Sequence, residues 1–192
     1  SSYFTNEIMM KKKEYDNCIY TEVYLPYEES AKRKLTVIDK WRCKYLSPQL
    51  NAAYLVRKMQ YWYGLGGGKK FFSSFIHLKL ARRYGLYISP KAVIGKGLKM
   101  YHPTSIVITS ATIGENLTIF QNCTIGQKYA GKAGYDKVPC IGNNVTMYAS
   151  SSIIGDVKVV DNVVIAAHSC LVSDALVAGV YAGSPAKLIK KQ

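Results

Sequence analysis

From about Ile88 to the C-terminus an aliphatic residue recurs every six positions. The openers read Ile88, Ile94, Met100 and Ile106, then Ile113, Ile119 and Ile125, then Ile141, Met147, Ile153, Val159, Ile165 and Leu171. Four residues after most of them sits a small or modest side chain, as at Ala92, Leu98, Thr104, Leu117, Cys123, Val145, Ser151, Val157, Val163 and Ser169. A period of six matches neither the 3.6 of a helix nor the alternation of a simple strand, and predicts a short-repeat parallel β-helix. Coils of such a solenoid stack opener on opener and bury one continuous apolar column. Two breaks interrupt the rhythm. The step from Ile106 to Ile113 is seven, and the step from Ile125 to Ile141 is sixteen. The segment between, 127–140, carries Gly131, Gly134 and Pro139 among Lys128, Lys132, Asp136 and Lys137, which predicts a loop extruded to one side, often the binding side of a repeat protein.

The first part of the chain has another pattern. Glu28 to Tyr63 reads as helix with a break near Ser47-Pro48, because proline disfavours helix at the residue before it. Leu50, Tyr54, Leu55, Met59, Trp62 and Tyr63 form its apolar stripe. Gly64 to Gly68 ends that helix, and Lys69 to Tyr84 forms another. Residues before Glu28 take no assignment. The expected organisation is therefore a mainly β chain: an α-helical region over 1–87, then a β-helix over 88–192 with the loop 127–140 and a C-terminal tail. The helices are expected to cap the first coil, whose edge would otherwise be unpaired.

Composition narrows the function classes. A hydrophobic content of 48% excludes global disorder, and no apolar run approaches the ~20 residues that span a bilayer. Ser1 to Lys13 has no apolar core of a secretory signal, and five cysteines without C-x-x-C spacing suit reduced thiols, so a cytoplasmic location is expected. Cys123 and Cys170 fall at small-residue positions, where a buried, inert thiol is expected. The net charge of +14 divides into +9 over 1–87 (16 basic, 7 acidic) and +5 over 88–192 (10 basic, 5 acidic). Lys32-Arg33-Lys34, Lys40-Trp41-Arg42 and Lys69-Lys70 mix base with aromatic residues, a pattern for the inner membrane surface or for a plain solvated face. No nucleic-acid motif accompanies the charge, so nucleic acid is not an expected partner.

Three histidines carry the candidate chemistry. His102, in Tyr101-His102-Pro103-Thr104-Ser105-Ile106, falls at a coil corner, where a side chain can leave the stack. His77 lies among Phe75, Ile76 and Leu78 and reads as a packing residue. His168 also falls at a corner, far along the solenoid from His102. A three-histidine zinc site needs ligands gathered on adjacent coils, and these separations argue against it, so no metal is expected.

Several ordered segments resemble one family. Ile88-Ser89-Pro90-Lys91-Ala92-Val93-Ile94-Gly95-Lys96-Gly97, the His102 segment, Ile119-Phe120-Gln121-Asn122-Cys123-Thr124-Ile125-Gly126 and Ala182-Gly183-Ser184-Pro185-Ala186-Lys187 are similar to the left-handed β-helix acyltransferases of the serine acetyltransferase type. They look closer still to relatives in bacterial polysaccharide O-acetylation. The resemblance covers a little over half the chain. It implies a left-handed coil, a homotrimer with sites between subunits, acetyl-CoA as co-substrate, and His102 as the base that takes a proton from an acceptor hydroxyl. Imidazole suits that task because it titrates near working pH, and such a base contributes about 10²–10⁴-fold. The resemblance also lays the coenzyme along small residues, Ala149, Ala167, Gly183 and Ser184, with Lys187 and Lys190 for its phosphates.

Departures from the serine enzymes bear on the acceptor. Tyr87 stands where the family orients its histidine with aspartate, Tyr101 replaces the acid before the histidine, and Lys137-Val138 replaces an arginine-histidine pair. A zwitterionic amino acid needs charged partners at both ends, whereas Tyr87, Tyr101 and Tyr148 suit a sugar ring. The expected acceptor site is Tyr87, Tyr101, Gln121 and Asn122. The expected function is an acetyl-CoA-dependent O-acetyltransferase acting on a sugar hydroxyl of a bacterial polysaccharide or its precursor. The alternatives are a serine or other small-molecule O-acetyltransferase, and a catalytically silent solenoid for assembly or membrane docking.

Overall fold

The computed structural model describes residues 10–128 and 138–191. Its helices are α1 (Lys12–Ile19), α2 (Leu25–Ala31), α3 (Val37–Tyr45), α4 (Pro48–Gly64) and α5 (Gly67–Tyr84), with a π-helical turn, Tyr20–Tyr24, joining α1 to α2. Residues 12–27, without assignment from sequence, are thus helical. The single helix expected over Glu28 to Tyr63 breaks twice: at the proline, as expected, and also at residues 32–36. There Lys32 turns left-handed (φ 52°) and Thr36 caps α3 through a reciprocal capping box with Asp39. The glycine run stops α4 but does not stay a loop. Gly66 (φ 68°) makes the turn, and Gly67 already opens α5.

The remainder is a parallel β-solenoid of about five coils. The first coil holds β1 (Tyr87–Ile88), β2 (Val93–Ile94) and β3 (Lys99–Met100). The second holds β4 (Val107–Ile108), β5 (Thr112–Ile113) and β6 (Thr118–Ile119). The third holds β7 (Thr124–Gly126), β8 (Cys140–Ile141) and β9 (Thr146–Met147), and the fourth β10 (Ser152–Ile154), β11 (Lys158–Val159) and β12 (Val163–Ile165). The last coil has β13 (Cys170–Leu171) and β14 (Gly179–Gly183), from which β15 (Ala186–Lys191) folds back antiparallel. The three faces are the sheets β1-β4-β7-β10-β13, β2-β5-β8-β11, and β3-β6-β9-β12-β14-β15.

Strand pairing corrects the hexad register at one place. Ile108, not Ile106, stands in line with Ile88 and Ile125. Ile106 and Val107 are stacked on Cys123 and Thr124, so Ile106 fills the corner position that the repeat seemed to give Thr104. The apparent seven-residue step is therefore a longer corner before Ile106 and a shorter one after Ile108. All other openers are buried as the period demands. Cys170 needs the same kind of correction. Ser169 occupies the inward position, and Cys170 faces outward, partly exposed. Cys123 is fully buried, as expected.

The helices close the first coil chemically as well as sterically. Arg57 in α4 and Glu22 in the π-helical turn form a fully buried ion pair, at 2.7 Å. The guanidinium spends all five N–H donors: two on Glu22, one on Gln60, and one each on the carbonyls of Ile94 and Gly95. Glu22 also accepts from the N–H groups of Gly97 and Leu98, and Gln60 donates to the Ala92 carbonyl. The exposed rim of the coil is thereby paired. One hydrophobic core runs from Val23, Val56, Met59 and Leu80 into Leu86, Ile88 and the stacked openers.

Candidate active site

At the edge between the third and first faces, the lower coils turn with two residues. Gln121-Asn122 lie between Phe120 and Cys123, Ala149-Ser150 between Tyr148 and Ser151, and Ala167-His168 between Ala166 and Ser169. The first coil uses four, residues 102–105, between Tyr101 and Ile106. Asn122 N–H bonds to Thr104 O just as Ser150 bonds to Gln121 O and His168 to Ala149 O, so Thr104-Ser105 match the lower corners and His102-Pro103 are the insertion. Gly85, Ser105, Asn122, Ser150 and His168 share the left-handed conformation in one column. His102 is left-handed too, at φ 49°, a conformation that costs a non-glycine residue about 1 kcal/mol or more. Pro103 is buried and pins the bulge, while His102 projects into solvent. Among the described residues no side chain hydrogen-bonds its imidazole.

Below the bulge the edge is lined by Gln121, Ala149, Ala167 and Gly183, in register from coil to coil. Among the described residues the backbone N–H groups of Gln121, Ala149 and Ala167 donate to no backbone carbonyl, which leaves donors along the edge. Gln121 Oε1 is buried and has no partner among the described residues, a deficit of about 1–3 kcal/mol that a ligand donor would relieve. Asn122 is exposed beside it. Gly183 N–H is held by Ser169 Oγ at 3.0 Å, and Ser184 follows, exposed, at the end of the edge. Lys187 pairs with Ala182 across β14 and β15 and stands at the foot of the row that begins at Tyr101. Lys190 pairs with Val180, one step further back on the face.

That row is aromatic near the bulge. Tyr101, Phe120 and Tyr148 stack with centroids 5.0 and 5.1 Å apart and planes 22° and 27° from parallel. Tyr87 lies on the adjoining face, exposed, level with Val107. A cleft of about 230 Å³ between the helices and the first coil reaches Tyr101, with Glu29 from α2 and Lys99 from β3 among its lining groups. Composition gave no sign of this cleft, because its walls come from segments some 70 residues apart.

Most of the expected site residues therefore gather on one edge, with His102 at its head and Lys187 at its foot, while Tyr87 lies on the adjoining face and Lys190 further back. His77 is half-buried in α5, as a packing residue would be. His168 sits on the same edge as His102, three coils on, and too distant to share a ligand with it. Among the described residues no three His, Cys, Asp or Glu side chains are grouped to hold a metal. Lys137 and most of the loop, residues 129–137, lie outside the described residues; Val138 is half-buried where the chain re-enters.

No protein-family model matches the chain. A serine acetyltransferase from Helicobacter pylori is 32% identical over 157 residues, 80% of this chain and 88% of that protein. Two serine acetyltransferases of Arabidopsis thaliana are 33% and 32% identical, but the chain spans only 34% and 38% of their length. Among solved structures, the serine acetyltransferase of Neisseria gonorrhoeae superposes with a TM-score of 0.77 at 27% identity, over 94% of this chain and 68% of that one. The same protein in complex with serine gives 0.74. The nearer likeness to polysaccharide O-acetylation expected from the residues finds no support in these relatives. By its identity to the Helicobacter pylori protein along nearly all of that protein's length, the chain belongs to the serine acetyltransferase family.

Proposed function

We propose that this chain is an acetyl-CoA-dependent O-acetyltransferase whose general base is His102. The observation that carries the proposal is the two-residue bulge, which puts an imidazole at the head of an edge lined by small residues and unpaired N–H groups. Imidazole there accepts the proton of an acceptor hydroxyl as its oxygen attacks the thioester carbonyl, and the proton then passes to the departing thiolate. An alcohol is a poor nucleophile, so the base and the alignment of both substrates contribute together. The thioester supplies the activated acetyl group. Its pantetheine arm runs down Ala149, Ala167 and Gly183, where a Cβ or less leaves room for close approach, and its amides meet the free N–H and C=O groups. Lys187 lies at the foot of that path for a phosphate, with Lys190 behind it. The edge faces outward, so a second subunit of a trimer would form the groove's other wall.

Serine, or a small hydroxyl compound like it, is the acceptor the family favours. The relatives above are serine acetyltransferases, and the gonococcal enzyme is known with serine bound. The charged partners missing at Tyr87 and Tyr101 have a substitute: Glu29 and Lys99 in the cleft that reaches Tyr101 suit the ammonium and carboxylate of a zwitterion. A sugar hydroxyl is the second reading, favoured by the stacked Tyr101, Phe120 and Tyr148, which present an aromatic slab beside the base. Thiol release from acetyl-CoA, measured with serine and with glycan fractions, separates the two. His102→Ala is expected to reduce release about 10²–10⁴-fold with either acceptor, and full activity in that variant would refute the base.

A further inference from the structure

Helix α5 turns its back on the rest of the chain. Ser73, Ile76 and Leu80 are its buried residues, spaced along one face. Phe71, Phe75 and Leu78 lie on the opposite face, 63%, 54% and 45% exposed, and Phe72, 54% exposed, lies at its margin edge-on to Trp62 of α4. The three phenyl rings lie with centroids 5.1 to 6.2 Å apart, Phe71 edge to face with Phe72 and Phe75 and those two tilted, and so form a continuous apolar ridge. Lys69, Lys70, Lys79, Arg82 and Arg83 flank the ridge, and the helix has no acidic residue. A shallow depression lined by Phe75, Leu78, Lys79, Arg82 and Arg83 joins apolar floor to cationic rim.

The surroundings have the same charge. Between residues 30 and 114 the chain has 16 basic residues, of which Arg57 is buried with Glu22 and Lys96 pairs with Glu115, and one acid, Asp39. Asp39 is itself buried against Arg33 and Thr36. A surface so one-sided selects an anionic partner. Rings packed against one another offer no separated platforms for bases, which disfavours single-stranded nucleic acid. A second copy would bring the same five cations face to face with their equals. A bilayer bearing anionic lipid meets both requirements at once: headgroup phosphates for the rim and acyl chains for the ridge.

We propose that α5 lies flat on an anionic membrane surface, with Phe71, Phe72, Phe75 and Leu78 immersed below the headgroups. The helix rests on the bilayer and does not cross it; among the described residues no helix is long and apolar enough to span one. This inference is independent of the acetyl-transfer reading, since its readout is binding to lipid.

Flotation of the full chain with vesicles tests it. Vesicles of equal parts phosphatidylglycerol and phosphatidylethanolamine should carry the protein up, and phosphatidylcholine vesicles should not. Phe71→Ser with Phe75→Ser, or Arg82→Glu with Arg83→Glu, should each weaken binding by about tenfold or more, and added salt should weaken it further. Because those variants remove contacts, circular dichroism must match the parent. Phe75→Trp keeps the ridge and should shift its emission to the blue on anionic vesicles, which reports immersion even if the serine variants fold poorly. Equal flotation with both vesicle types, or an unshifted tryptophan, would overturn the proposal. So would loss of oligomeric mass in the serine variants with flotation intact, which would assign the ridge to a second copy.

Discussion

The junction around Arg57 and the corner around His102 stand at the two limits of polar bookkeeping in this molecule. At the junction every donor of a fully buried guanidinium has an acceptor, and the carboxylate of Glu22 holds two backbone N–H groups besides. At the corner, among the described residues, the imidazole has no side-chain partner, the N–H groups beneath it donate to no backbone carbonyl, and Gln121 Oε1 is buried unpaired. Burial without pairing is costly, so a chain that pairs one site fully and leaves another open concentrates its unused hydrogen-bonding capacity at the second. The difference separates the part that holds the fold from the part proposed above to bind the substrates.

The sharpest way to break the contrast is to delete His102 and Pro103 together. The corner would then turn with two residues, like the three below it. Acetyl transfer should fall to the background seen without enzyme, with an unfolding midpoint in urea close to the parent's. A folded deletion variant that still transfers acetyl groups at the parent rate would remove the bulge from the mechanism. Arg57→Met attacks the other limit, leaving Glu22 buried without its cation. Urea unfolding should show a loss of about 3–5 kcal/mol, and Glu22→Gln in the same chain should restore part of it. Gln121→Met is a smaller probe. Removing an unpaired buried acceptor should stabilise the chain by about 1 kcal/mol while raising KM for one of the substrates.

The smallest effect concerns Asp39, at the start of α3. The Arg33 guanidinium at 2.7 Å, and then the backbone N–H and hydroxyl of Thr36, hold its carboxyl well below the usual carboxylate range. A folded pKa below the unfolded one gives stability that is present above the unfolded value, near 4, and is lost as pH falls through the folded value. Midpoints measured in an acid series should fall less steeply for Asp39→Asn than for the parent.

Much of the solenoid was legible because a stacked column accepts only aliphatic side chains at fixed intervals, and twelve of the thirteen openers read from the sequence lie in that column. Ile106 was misread for a physical reason: it and Ile108 are both aliphatic, and only strand pairing tells which one faces its neighbours. The insertion at His102 was hidden by the same ambiguity, although the histidine itself stood out as rare and beside a proline. Cys170 was placed inward when the smaller Ser169 takes that position. The junction was invisible for want of any local signal, since Glu22 and Arg57 are 35 residues apart. A hint was present all the same: Arg57 interrupts the apolar face of α4 between Val56 and Met59, a position that a charge occupies only with a partner. The cleft lined by Glu29 and Lys99 was not legible, because its walls come together only after the helices have folded over the first coil, and the reading of the acceptor as a sugar was made without it.

The fold-back of β15 has a consequence of its own. With helices over the first coil and β15 folded back antiparallel on the third face, the parallel column of that face stops at β14, and its height follows from the number of coils. From Thr104 to Gly183 the edge takes four steps of about 4.8 Å, roughly 19 Å in all. The prism therefore acts as a ruler, and a protein engineered with one more turn should hold its terminal lysines one rung further from the imidazole.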